Sequence, residues 1–277
     1  MIKTRIRVAL PTSILSVEHS LVLKSIRVHQ VARWSSIFGV REVVFYREPS
    51  TEISEHGKYK KLIEDHWRYF FTPPYLRRAL VPLTSSLKYV GLLPPIRLKA
   101  FNVGRRPRDR EHRLGYVFID SSGELRALIG DDVVYRASEE CKEHIGISPV
   151  LVVDRAKRLV KCVNRTVYLG PRLSFANSLK EAVNKCREAS KCLIATDKTG
   201  SYPELSVLEN ACGSDITILF GGPKYDLFEI SSQESFALNN CVDCTWNTVP
   251  NQEVVSVRTE EALLITLGVI NALLRGL

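Results

Sequence analysis

A change of texture along the chain constrains its fold most. Two stretches of mixed helix and strand periodicity flank a middle block of short strand-like runs. Such a chain has to build an α/β framework with a separate β unit set into it. Residues 5–10 are short and β-rich, and Pro11 ends them. Over residues 14–37 apolar side chains recur at helical spacing (Leu15, Val22, Ile26, Val31, Ile37), and Gly39 stands where a helix stops. Residues 43–46 follow as a buried strand, so the opening is β-α-β and its two strands pair in parallel. Residues 56–78 read as a second helix with Tyr59, Trp67 and Phe70 on one face, broken by Pro73 and Pro74.

A proline-punctuated connector over 81–95 leads into the middle block. There five β-like runs (113–120, 124–129, 132–136, 150–154, 159–165) are separated by turn signals such as Ser121-Ser122-Gly123 and Gly130-Asp131. After Gly170-Pro171 the α/β texture returns. The pattern predicts helices over 174–190, 206–212 and 260–274, and strands over 192–196 and 216–220. The expected organisation is a discontinuous α/β domain of residues 1–95 and 170–277, with a small all-β barrel of residues 96–169 inserted in it.

Charge narrows the partners. The 277 residues carry 39 Lys and Arg against 30 Asp and Glu, a net charge of +9. That balance favours a polyanion, nucleic acid before membrane. The basic residues concentrate at the entry to the expected barrel, in Arg97, Lys99, Arg105, Arg106, Arg108, Arg110 and Arg113, opposed by Asp109 and Glu111. Guanidinium groups hold phosphates bidentately, and small barrels of the OB type bind single-stranded nucleic acid. The other reading of this run is a solvated loop.

Other chemistries find little footing. Seven dispersed cysteines form no dense framework and suggest a reducing, cytoplasmic setting. The first residues lack the apolar run of a signal peptide, and no apolar stretch reaches the ~18 residues of a membrane span. Cys241 and Cys244 form a lone CxxC, short of the four ligands of a zinc site. The histidines (19, 29, 56, 66, 112, 144) form no metal or triad spacing, so no metal is expected. GxSxG, Walker and GxGxxG motifs are absent.

The strand-end loops of the last third carry the most information. One follows a strand through Ala195, Thr196 and Asp197. A second is Leu219-Phe220-Gly221-Gly222-Pro223. A third, around Val249, Pro250, Asn251 and Val254, precedes the last helix. Ligands of open α/β sheets settle outside the carboxyl ends of the strands, and Gly221 and Gly222 would let backbone approach one closely. Three ordinary βα turns would look the same.

Several segments resemble a known family. They are residues 10–13 with Lys24, and Val31-Ala32-Arg33-Trp34-Ser35-Ser36-Ile37-Phe38-Gly39-Val40. Further matches are residues 72–78, Tyr89-Val90-Gly91-Leu92-Leu93-Pro94-Pro95, residues 220–223, Asn247-Thr248-Val249-Pro250, and Val257-Arg258-Thr259-Glu260-Glu261-Ala262. Together they are similar to the archaeal and eukaryotic branch of RNA methyltransferases in the SPOUT superfamily. The resemblance implies an α/β domain with a C-terminal trefoil knot and an inserted OB-like barrel. It also implies S-adenosylmethionine held by the three loops, and a homodimer with active sites near the subunit interface. Arg33 stands where TrmH-like members place an arginine that reaches the partner's substrate. Arg258 and Glu261 match the last motif and would orient the acceptor base, or else cap the helix. Asn251, Glu253 and Asp226 depart from positions where the family carries glycine or its neighbours. The function implied is S-adenosylmethionine-dependent methylation of a nucleobase, with the ribose 2′-hydroxyl as second choice, in rRNA or tRNA. The alternative is an RNA-binding protein that kept the fold and lost turnover.

Overall fold

A computed structural model describes residues 4–104, 106–209 and 215–275. In chain order, β1 (Arg5–Pro11), α1 (Leu21–Ile37), β2 (Glu42–Tyr46) and α2 (Ile53–Phe71) come first, then a short α3 (Arg77–Leu80). The middle block holds β3 (His112–Ile119), β4 (Leu125–Leu128), β5 (Tyr135–Ala137), β6 (Gly146–Asp154) and β7 (Leu159–Cys162). The last part holds β8 (Arg172–Ala176), α4 (Leu179–Ala189), β9 (Cys192–Ser201), the single turn α5 (Leu205–Val207) and β10 (Asp215–Leu219). It ends with α6 (Leu227–Gln233), β11 (Cys244–Trp246) and α7 (Thr259–Leu273). The chain divides into two compact units, residues 1–67, 86–94 and 170–277, and residues 68–85 and 95–169. Among the described residues no helix is long and apolar enough to cross a membrane.

The first unit is built on a six-stranded sheet in the order β11-β9-β10-β1-β2-β8, every neighbouring pair parallel. Parallel sheets are covered on both faces, which is why β2 and β10 are buried at all five positions. A continuous apolar cluster of Ala9, Val44, Leu193, Leu219, Leu227 and Ile230 joins the sheet to α4 and α6. Ser20 starts α1 by accepting a hydrogen bond from Leu23 N at 3.2 Å, and Ser178 starts α4 the same way with Glu181 N at 3.0 Å. Each such cap contributes about 1 kcal/mol.

The second unit is a closed five-stranded barrel in the order β3-β4-β5-β7-β6. Its pairs are antiparallel except β5 with β7. Here burial alternates along strands, as in β4 and β5, with Val117, Ala127, Tyr135, Val150 and Val160 pointing into one core. A disulfide joins Cys141 to Cys162 across a sequence separation of 21. Closing a loop of that length stabilises by about 3 kcal/mol. Cysteine spacing gave no hint of this pair.

Two expectations need correction. The helix expected over 174–190 begins as β8, which pairs with β2 from Arg172 to Ala176, and only Leu179–Ala189 is helical. Burial of Ala176 against the sheet outweighs the helical spacing there. The helix expected over 14–37 opens with a 3-10 turn over Thr12–Leu15, and α1 starts only at Leu21. The later part of the helix expected over 206–212 lies outside the described residues.

Candidate functional site

In the first unit the carboxyl ends of β1, β2, β9 and β10 converge. β9, expected to end at 196, runs on to Ser201, and its far half meets the loops after β10 and β11 through short hydrogen bonds. Thr196 Oγ1 donates to Leu219 O at 2.9 Å, and Asn247 Nδ2 donates to Lys198 O at 2.8 Å. Phe220 N donates to Ala9 O at 3.0 Å, Tyr46 OH to Phe220 O at 2.7 Å, and Thr259 Oγ1 to Gly221 O at 2.9 Å. The three loops singled out in the sequence therefore lie at one crest.

Their side chains do different things. Ala195, Leu219 and Phe220 are buried in the sheet core, so they can offer a ligand only backbone. Asp197 accepts from Thr199 N and Oγ1 within the far half of β9. Pro223, Pro250 and Val254 are exposed, and Val249 is half-buried, its N–H donated to Asn247 Oδ1.

Both glycines answer to protein atoms. A Cβ on Gly221 would stand 3.1 Å from Asp226 Cα and from Leu227 N. A Cβ on Gly222 would overlap the Glu48 carboxyl. Glu48 follows β2 and is 1 % exposed. Among the described residues its Oε1 has no hydrogen-bond partner. Burial pushes its pKa up to about 7, and the nearby Ser13 hydroxyl offsets only part of that rise. Sequence reading missed Glu48, because one glutamate after a strand carries no motif. Its neighbours from the same crest are Ser13 and Thr12, whose Oγ1 lies 2.9 Å from His56 Nδ1.

The departures from the family pattern are compatible with these loops. Asn251 has φ 56°, the left-handed region that asparagine tolerates in place of glycine. Asp226 caps α6, its Oδ1 accepting from Phe228 N and Glu229 N at 2.8 Å each, so its carboxylate is engaged with the helix. Glu253 is exposed.

The last motif is held in ion pairs. Glu261 Oε2 accepts from Arg258 N at 3.0 Å, closing the first turn of α7. Arg258 Nη1 lies 3.2 Å from Glu18 Oε1, Arg27 Nε pairs with the same oxygen at 2.6 Å, and Arg27 Nη1 pairs with Glu260 Oε1 at 2.5 Å. This network ties α7 to α1 and accounts for Arg258 and Glu261 structurally. Arg33 is exposed on the second half of α1.

In the second unit Arg97, Lys99, Arg106, Arg108 and Arg110 are exposed; Arg105 lies outside the described residues. Arg113 needs correction as a phosphate ligand. It is 3 % exposed, donates to Gly104 O at 3.0 Å and to Glu111 Oε2 at 3.3 Å, and its guanidinium stands 4.9 Å from the centre of the Tyr75 ring. β3 turns this side chain inward, which a charge run cannot reveal. Among the described residues no group of three or more His, Cys, Asp and Glu is placed to hold a metal.

Comparison with known proteins fits this arrangement. A protein of Halobacterium salinarum is 27% identical over 263 residues, 86% of this chain and 88% of that protein. The 28S rRNA (uridine-N(3))-methyltransferase of Drosophila melanogaster is 26% identical, over 94% of this chain and 60% of its own length. The human protein of that description is 25% identical, over 94% of this chain and 76% of its own. The family model described as "Putative RNA methyltransferase" matches residues 5–270, and the chain belongs to that family.

Proposed function

We propose that the protein is an S-adenosylmethionine-dependent methyltransferase that modifies a nucleobase of ribosomal RNA, uridine N3 being the favoured atom. The carrying observation is the family match over residues 5–270, which takes in both units. The relatives whose descriptions specify uridine N3 in 28S rRNA align over 94% of the chain and support the choice of atom.

The crest of the first unit suits the cofactor. It offers the backbone of residues 195–197, 219–223 and 249–254, and one buried carboxyl without a counter-ion beside Gly222. S-adenosylmethionine, when bound, supplies a methyl group on a positively charged sulfur. The loops would hold the adenosine by main-chain groups and fix its orientation, which is the larger part of catalysis for so good an electrophile. Arg33, presented to the partner in a homodimer, would favour the anionic form of a uracil imide and so prepare N3 as a nucleophile. A trefoil knot formed by the loops after β9 to β11 belongs to the same proposal. So does an OB-like reading of the barrel, which its strand order supports.

Arg97, Lys99, Arg106, Arg108 and Arg110 would hold RNA phosphates. Reversing the charge of Arg106, Arg108 and Arg110 together should lower the salt slope of RNA binding by about three, one for each phosphate no longer neutralised. An unchanged slope removes this surface from the proposal. The activity itself is tested by incubating the protein with methyl-labelled S-adenosylmethionine and unmodified rRNA, then digesting the RNA to nucleosides. N3-methyluridine is the expected product. Label in 2′-O-methyl nucleosides would move the acceptor to the ribose, and no label in any RNA offered would contradict the proposal.

A further inference from the structure

The Glu48 carboxyl is a charged group of the crest to which the fold gives no cation among the described residues. It is 1 % exposed, its Oε1 is unpartnered, and it occupies the space a side chain on residue 222 would take. The polar and charged groups of the neighbouring elements have bonds of their own. Arg47 Nη1 donates to the main-chain oxygens of Glu48 and Thr51 at 3.4 and 3.1 Å. His56 faces Thr12 Oγ1, and burial together with Arg47 and Lys60 lowers its pKa. Tyr46 donates its hydroxyl to Phe220 O. Glu234 accepts from Leu179 N and Lys180 N, both at 2.8 Å. From the loop after β10, Lys224 lies over the Tyr225 ring and Asp226 caps α6. A buried carboxyl with no cation keeps its proton to higher pH than an exposed one, and gives it up at lower pH when something positive arrives beside it.

We propose that Glu48 is the specificity residue that separates S-adenosylmethionine from S-adenosylhomocysteine, by releasing its proton to the buffer when the sulfonium form binds and keeping it with the thioether. This rests on the reading of the crest as the cofactor site. The two ligands differ by one methyl group and one positive charge. A cation brought next to Gly222 stabilises the Glu48 carboxylate, whereas the neutral thioether does not. After transfer the positive charge is gone, Glu48 takes a proton back, and the product is held less tightly than the substrate was.

The test needs no RNA. The full chain is titrated calorimetrically with each ligand from about pH 6 to about pH 8, in two buffers of different ionisation enthalpy. The affinity for S-adenosylmethionine should rise by up to about tenfold per pH unit as pH climbs to about 7 and level off above it, with close to one proton released per chain at the acid end. S-adenosylhomocysteine should show neither effect. Glu48→Gln should flatten the S-adenosylmethionine profile and shrink its preference over the homocysteine form at high pH. Equal pH profiles for the two ligands in the wild-type protein overturn the proposal while leaving the cofactor site intact. So does a Gln variant that keeps the pH dependence, which would assign it to His56. Binding of neither ligand to folded protein would overturn the cofactor site itself, and the proposal with it.

Discussion

The two ends of the parallel sheet treat buried carboxylates in opposite ways. At the amino ends of the strands, Glu42 is 4 % exposed and receives Arg172 Nη2 and Ser174 Oγ, both at 2.8 Å, with Arg7 Nε at 3.5 Å. Although burial raises its pKa, those donors and Arg172's charge outweigh it and hold Glu42 below the usual carboxylate range. Asp215 is paired there with Arg5 and with Arg7 Nη1 at 3.1 Å, and its pKa is lowered too. At the carboxyl ends Glu48 is more deeply buried, has no cation, and sits near 7. One end completes its ion pairs within the chain and serves the fold. The other leaves a carboxyl open where ligands of such sheets bind.

Four changes would sharpen or break that contrast. The largest effect belongs to Glu42→Ala, which removes the buried carboxylate that Arg172 and Ser174 donate to and leaves Arg7 with Asp215 alone. Denaturant unfolding should show a loss of about 4 kcal/mol, and a loss below about 1 kcal/mol would mean the amino end is not held by its ion pairs. Next is Gly222→Ala, whose Cβ meets the Glu48 carboxyl. It should cost about 3 kcal/mol, largely recovered when Glu48→Ala is added. Simple addition of the two single effects would deny the contact.

The third concerns pH and has opposite signs at the two ends. Glu42 and Asp215 have lowered folded pKa values. Their stabilisation is therefore complete above the unfolded values and fades as pH falls through the folded ones. Glu48 has a raised folded value, so the native state holds its proton longer than the unfolded chain does. Stability then declines as pH rises from about 4.5 to about 7 and is flat beyond. Glu48→Gln removes that decline. The variant should match wild type near pH 5 and exceed it near pH 8 by at most about 3 kcal/mol. A variant weaker than wild type at both values would show that the carboxylate has a hidden partner. The smallest effect is that of Arg258→Ala. Its side chain is 53% exposed, and loss of the pair to Glu18 should cost less than about 1 kcal/mol. A large fall in methyl transfer with stability kept would return Arg258 to the chemistry.

Much of this was legible in the residues. The β1-α1-β2 opening, the run of short strands in the middle and the last helix all follow from apolar spacing. Spacing failed where tertiary pairing decides. β8 reads as helix until β2 is set beside it, and β11, three residues starting at the second cysteine of the CxxC pair, is too short to show a period. The loops of the crest were visible as strand ends, yet what their glycines face was not. Gly222 looked like room for a ligand and turns out to be room for Glu48. Motif residues such as Arg258 and Glu261 drew attention through type and position, but only coordinates show their pairing with Glu18 and the start of α7. Arg113 belonged to a charge run by sequence and to the barrel interior by register. Glu48 had no signal at all, because lack of a partner is a property of three dimensions.

The central claim is that the crest of the sheet binds S-adenosylmethionine. Calorimetric titration of the intact protein with that cofactor near pH 8 tests it most directly. The account predicts saturable binding at one site per chain. A folded protein that gives no binding heat and no thermal shift at high cofactor concentration would contradict it.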